Sequence, residues 1–239
     1  MKYTTELISK ETVAEGTMAF HMKKPEGFTF MPGQNCDFTI IDPPETDGEG
    51  NIRTFSITSA PSESEIAIAT RMRDTAFKRT LKNAEAGLKI EFDGPMGSFT
   101  LHEKASRPAV ILVGGIGITP FMSIVKDAAE RSLPHKIYMF YSNHRPEDTA
   151  FLAVLQDLAK KNPNFTFIPT MTDMEKSPQQ WEGERGYIDM AMIDRHISDK
   201  NDAIYYTAGP QTMVGAMRKM LNDAGISNDD IRTEEFSGY

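Results

Sequence analysis

Val110 to Pro120 reads VILVGGIGITP, and the rest of the chain is organised around it. Val110, Ile111, Leu112 and Val113 predict a short strand buried on both faces. The run stops at Gly114, Gly115 and Gly117, and a helical pattern opens near Pro120 and Phe121. Glycine lets the backbone approach a ligand closely, and the unpaired N–H groups of a first helical turn point at an anion. Pro120 suits that turn, where its missing N–H has no intrahelical bond to lose. The spacing is G-x-G-x-x-P rather than the G-x-G-x-x-G of the dinucleotide fingerprint. A tight strand-to-helix turn with no ligand is the competing reading of the same residues.

Composition narrows the classes. A chain of 239 residues suffices for one or two domains with a real core. Hydrophobic residues at 39% and charged residues at 25% describe an ordinary globular protein. The net charge of −8 argues against nucleic acid as a partner, because there is no basic surplus to neutralise phosphates. Cys36 is the only cysteine, which excludes an internal disulfide, a cysteine-ligated zinc and a cysteine-ligated iron–sulfur cluster within these residues. The five histidines show no ligand spacing, so no metal site is expected. The opening MKYTTELISKE lacks the apolar core of a secretory signal, and no apolar run has the length of a membrane span. A cytoplasmic location is the expectation.

The first hundred residues read as all-β. Short runs at 38–41, 52–57, 65–69 and 88–92 are separated by Pro, Gly and Asp clusters, the spacing of a small barrel or sandwich. Asp42 to Gly50 (DPPETDGEG) reads as a polar hairpin loop, and Thr75 to Ala86 as the only helix of this half. The pattern changes near Lys104 to Pro108. Strands at 109–113, 136–141, 166–169 and 203–207 then alternate with helices at 121–131, 148–161 and 212–224, which predicts a parallel sheet with crossover helices. Gly225 is placed to close the last helix. The expected division is a β domain over 1–104 and an α/β domain over 105–239.

Four further motifs each have a plain structural explanation. On the strand Arg53-Thr54-Phe55-Ser56, period-two alternation puts Arg53 and Phe55 on one face, a cation beside an aromatic ring. Arg71 to Leu81 (RMRDTAFKRTL) combines a helix start with Arg71, Arg73, Lys78 and Arg79, a set suited to a pyrophosphate or simply to a solvated helix. Gly94 to Phe99 (GPMGSF) reads as a turn. Tyr205 to Pro210 (YYTAGP) is a second strand-to-helix turn, and ligands of such sheets sit beyond the carboxyl ends of the strands.

Taken in order, Pro32-Gly33-Gln34, Arg-x-Phe-Ser, Gly-Pro-x-Gly-Ser-Phe, Gly-Gly-Ile-Gly-Ile-Thr-Pro, Ala-Gly-Pro and a terminal Glu-Glu-Phe resemble the ferredoxin–NADP reductase superfamily over nearly the whole chain. The resemblance implies an antiparallel flavin-binding barrel followed by a Rossmann-like NAD(P)-binding domain. It implies FAD rather than FMN, hydride delivery from NADPH or NADH, and a separate electron acceptor, either a protein or a small molecule. An electron-transfer subunit of a larger complex and a non-catalytic redox-sensing module are the alternatives.

By the same resemblance, Arg53 would meet the flavin phosphate, Phe55 would stack on the isoalloxazine where the family more often has Tyr, Ser56 would hydrogen-bond near flavin N5, and Thr54 would belong to the same cofactor-binding strand. Thr70, Arg71 and Met72 would contact the ribityl and ring edge, and Thr75, Ala76, Phe77 and Lys78 would hold the pyrophosphate. Lys78 stands where the family often has a serine, and Ala208 where it frequently has a cysteine. Gly114, Gly115, Gly117, Ile118, Thr119 and Pro120 would receive the nicotinamide cofactor's pyrophosphate, with Gly209 and Pro210 beside the nicotinamide. Ser142, Asn143 and Arg145 follow the second α/β strand, where a serine and an arginine suit the 2′-phosphate of NADPH. Phe236, preceded by Glu234, would cover the flavin, with Tyr239 as a competing lid. Ser56, Glu234 and Phe236 are thus the residues expected next to the reaction.

Overall fold

A computed structural model describes residues 1–198 and 200–236. Two compact units emerge. One comprises Met1–Thr100 with Thr119–Asp127, the other Leu101–Ile118 with Ala128–Tyr239.

The first unit holds strands β1 (Lys2–Ala14), β2 (Thr17–Lys23), β3 (Asn35–Ile40), β4 (Ile52–Ser56), β5 (Glu65–Arg71) and β6 (Lys89–Met96), with helix α1 (Ala76–Asn83). They form one antiparallel sheet in the order β4-β3-β6-β1-β2-β5. The sheet curls until its two ends communicate, as the Thr58 N–H just past β4 donates to the Ala67 carbonyl of β5 at 2.8 Å. Inward side chains, among them Phe20, Met22, Phe38, Ile68 and Phe92, build the core, and Phe77 and Leu81 of α1 complete it. Neither β1 nor β2 was among the strands expected from the sequence. Most of β1 is exposed and rich in Thr, Lys and Glu, so its apolar alternation is faint. Gly33 takes φ +97°, and a Cβ there would stand 2.1 Å from the Phe99 carbonyl oxygen, which requires glycine in the Pro-Gly-Gln turn. Gln34 braces that turn by donating to the Gly97 carbonyl at 3.0 Å and accepting from Met31 N–H at 2.8 Å.

The second unit is built on β7 (Ala109–Gly114), β8 (Ile137–Asn143), β9 (Phe165–Met171), β10 (Glu184–Arg185), β11 (Ile204–Pro210) and β12 (Ile231–Phe236). All pairings are parallel, in the order β10-β9-β8-β7-β11-β12. Its helices are α3 (Leu152–Lys161), α4 (Met190–His196) and α5 (Gln211–Asp223); α2 (Thr119–Glu130) links β7 to β8 and has its first nine residues in the other unit. Every residue of β7 is buried, as its apolar run predicts. Within the first unit, α2 is tied down by Ser123, whose hydroxyl donates to the Ser59 carbonyl at 2.7 Å, and by Phe121 set edge-on to Phe99.

The start of α3 and the presence of β12 differ from expectation. The helix expected from 148 begins at Leu152, because Pro146–Asp148 forms a separate 3-10 turn and Phe151 adopts a left-handed φ of 61° before the helix. Strand β12 was not anticipated: IRTEEF is polar and pairs along one side only, with β11. Gly225 does close α5, with φ +86° and its N–H on the Asn222 carbonyl at 2.9 Å.

Candidate functional site

Two groups of expected site residues occur, one in the first unit and one on the second unit's sheet, Thr119 and Pro120 being counted with the first unit. In the first unit, β4 and the start of α1 come together around Phe77. The Arg53 guanidinium lies 5.3 Å from the Phe77 ring centre, and Phe55 packs on Phe77 at 5.9 Å and on Phe38 at 6.0 Å. Arg53 and Phe55 therefore share a face, as period-two alternation requires. Ser56 is buried and Thr54 exposed; Thr54 donates its hydroxyl proton to Asp37. At the end of β5, Thr70 is buried, Arg71 is exposed and Met72 packs on the core. Thr75 caps α1, its hydroxyl oxygen accepting the Lys78 N–H at 3.4 Å. The Lys78 ammonium donates to the Arg71 carbonyl at 2.7 Å. Burial, with Arg73 and Arg53 nearby, pushes its pKa down to about 8.

The polar loop 42–50 contributes what sequence reading missed. Asp47 accepts the Ala76 N–H, the first amide of α1, at 2.6 Å. Glu49 accepts from Arg53 at 2.7 Å, and that arginine also donates to the Glu49 carbonyl at 2.9 Å. Glu45 accepts from Arg79 at 3.0 Å, and Arg79 also pairs with Asp74. The helix-start hydrogen bond holds the Asp47 carboxyl below the usual range, and Arg79 does the same for Glu45. A carboxylate on the first α1 amide shows that this position takes an anion, so the residues fit a flavin pyrophosphate. The signal in the sequence was the regular spacing Glu45, Asp47, Glu49.

In the second unit, strand order reverses at β7, with β8 on one side and β11 on the other. The Gly114–Pro120 and Gly209–Pro210 turns leave the carboxyl ends of the two strands at this point. A 3-10 turn over Gly115–Ile118 intervenes before α2, which begins at Thr119, with Pro120 in its first turn. Gly117 lies directly on the other turn: a Cβ there would be 2.3 Å from the Ala208 carbonyl oxygen and 2.8 Å from the Gly209 Cα. Tyr141 donates to the Gly115 carbonyl at 2.9 Å and supports the loop from β8. At the end of β8, Asn143 is buried with no hydrogen-bond partner for its amide nitrogen among the described residues, an orphan donor that suits a polar ligand.

Arg145 and Asp148 form a two-pronged pair, Nε to Oδ2 at 2.9 Å and a terminal nitrogen to Oδ1 at 2.8 Å. Asp148 was expected as a helix start and instead orients this arginine. Glu234 and Phe236 lie on β12, in register with Ala208 and Pro210. Tyr239 lies outside the described residues.

Residues 111–219 match the family described as Oxidoreductase NAD-binding domain. The chain is 26% identical over 232 residues to the glycine betaine monooxygenase reductase subunit of Chromohalobacter salexigens, covering 96% of this chain and 62% of that protein. It is 25% identical over 242 residues to the anthranilate 1,2-dioxygenase electron transfer component of Acinetobacter baylyi, covering 99% and 67%. Among solved structures, the ferredoxin NADP+ reductase of Neisseria gonorrhoeae with bound FAD and NADP matches with a TM-score of 0.80 at 20% identity, covering 98% of both chains. The flavohem-like FAD/NAD binding domain of nitric oxide dioxygenase from Vibrio cholerae gives 0.82 at 19%, again covering 98% of both. Residues 111–219 thus carry the oxidoreductase NAD-binding domain, and the chain as a whole is similar to reductase components of the ferredoxin–NADP reductase-like kind. It spans about two thirds of the length of these two relatives. The antiparallel unit followed by the parallel unit matches the two-domain fold of these solved structures, and the family match at 111–219 lies mostly in the parallel unit. No helix among the described residues is long and apolar enough to cross a membrane.

Proposed function

We propose that this chain is an NAD(P)H-dependent flavin oxidoreductase that passes electrons to a separate acceptor. The observation that carries the reading is the pair of glycine turns at the sheet's reversal point, where Gly117 leaves no room for a side chain against Ala208 and Gly209. A bare backbone there lets a diphosphate approach the amides of the turn. The similar reductase and electron-transfer components support the same class of activity. Those relatives are named as parts of oxygenase systems, so the acceptor class we favour is a redox partner protein. A cytoplasmic setting, where reduced pyridine nucleotide is available, suits this role.

A bound flavin would supply the two-electron acceptance from reduced nicotinamide and the onward release of electrons. The chain's part is to bind and align. Arg53, Lys78 and the first amides of α1 would neutralise the flavin pyrophosphate, Phe55 would offer an aromatic face, and Ser56 would supply a hydroxyl. Thr70, Arg71 and Met72 would edge the ring. Ser142, Asn143 and Arg145 would meet the adenosine end of the nucleotide. NADPH is the favoured donor, and its 2′-phosphate would have to compete with Asp148 for Arg145.

Anaerobic stopped-flow absorbance with NADPH and NADH tests the proposal. Rapid bleaching of the flavin band is expected, faster with NADPH, and Arg145→Ala should raise KM for NADPH alone. A bound flavin that neither nucleotide reduces would overturn the oxidoreductase reading in favour of a flavin-binding sensor.

A further inference from the structure

The polar loop between β3 and β4 is placed where solvent alone would be expected. Three of its four acids each engage a group at the proposed flavin-phosphate cluster: Glu45 engages Arg79, Asp47 the Ala76 amide, and Glu49 Arg53. These contacts copy what a dinucleotide's diphosphate would do, since carboxylate and phosphate oxygens accept the same charge-assisted hydrogen bonds. We propose that loop 42–50 is an internal anion mimic that occupies the phosphate end of the flavin site and must swing away when FAD binds. The inference rests on the flavin reading given above.

Three features make the loop displaceable rather than structural. The side chains of Glu45 and Glu49 are 41% and 63% exposed, so their ion pairs are weak and screened. Thr75 caps α1 independently, so the helix keeps a cap when Asp47 leaves. A Cβ added at Gly48 or at Gly50, the latter at φ +73°, would meet nothing within 4 Å, so this part of the loop is not packed in place. Occupancy by the loop lowers apparent flavin affinity by the fraction of molecules left open. FAD uptake is therefore predicted to be slower and weaker than in a variant whose loop lacks these carboxylates.

The test compares the full-length chain, freed of flavin, with the triple variant Glu45→Gln, Asp47→Asn, Glu49→Gln. FAD is titrated by fluorescence quenching, and backbone hydrogen exchange is followed with and without FAD. The variant should bind about tenfold more tightly, as expected if the loop is closed in roughly nine molecules of ten. In the unaltered chain, FAD should speed exchange across residues 42–50 while slowing it at Ala76–Lys78. Equal or weaker binding by a variant whose circular dichroism is unchanged overturns the mimic and leaves the flavin reading standing. Unaltered exchange in 42–50 while FAD binds does the same. Failure of both proteins to bind FAD overturns the flavin reading and this inference with it.

Discussion

Lys78 and Gly117 show how much rests on single positions. The Lys78 ammonium, pushed down to about 8 by burial and neighbouring arginines, is still mostly charged at neutral pH. A phosphate beside it would raise that value, so FAD binding takes up a proton wherever the free protein has lost one. FAD affinity should therefore hold below about pH 8 and fall above it, by up to about tenfold per pH unit. Fluorescence titrations across that range check this, and Lys78→Met should flatten the profile. At Gly117 the constraint is steric. A methyl group would meet the Ala208 backbone carbonyl oxygen at 2.3 Å, an atom that cannot rotate aside. Gly117→Ala should cost about 1–3 kcal/mol in urea unfolding and weaken nucleotide binding. The glycine is plain in the sequence, whereas its contact with Ala208 depends on two strands lying side by side.

At the scale of elements, the contrast with Gly215 is informative. It sits inside α5, exposed, with nothing within 4 Å of an added Cβ. Gly215→Ala should stabilise the chain by about 0.5–1 kcal/mol, because alanine loses less freedom in a helix. Thermal melts of the two glycine variants should thus move in opposite directions. Element recognition followed the same logic of burial. The buried run of β7 and the Gly225 stop were readable because their signals are strong and local. Strands β1 and β12 differ from expectation because polar residues, exposed or half-buried, make up most of both and their place is set by pairing with β2, β6 and β11. Phe151 and Pro146 shifted the start of α3 by creating a turn that periodicity alone could not detect.

For the whole molecule, each of the two units has its own core, and the proposal assigns one ligand to each. Hydrogen exchange with FAD alone should protect residues 53–56 and 70–78, leaving β7 to β9 unaltered. Exchange with oxidised nucleotide alone should protect 114–120 and 142–145 instead. At about a hundredfold excess over its Kd, either ligand should add about 2.7 kcal/mol of stability. Protection of the same residues by both ligands would remove the assignment of one site to each unit.

The sequence by itself determined the order of a β unit and an α/β unit, the glycine turns, and the positions of the cations. Those properties live in residue type and short spacing, which local sterics and periodicity translate directly. Only the tertiary structure decided what each charge faces. Asp47 meets an amide 29 residues away, and Glu45 meets an arginine 34 residues away. Through-space distance governs electrostatic pairing, and sheet register and loop path set that distance, so no reading of spacing along the chain contains it.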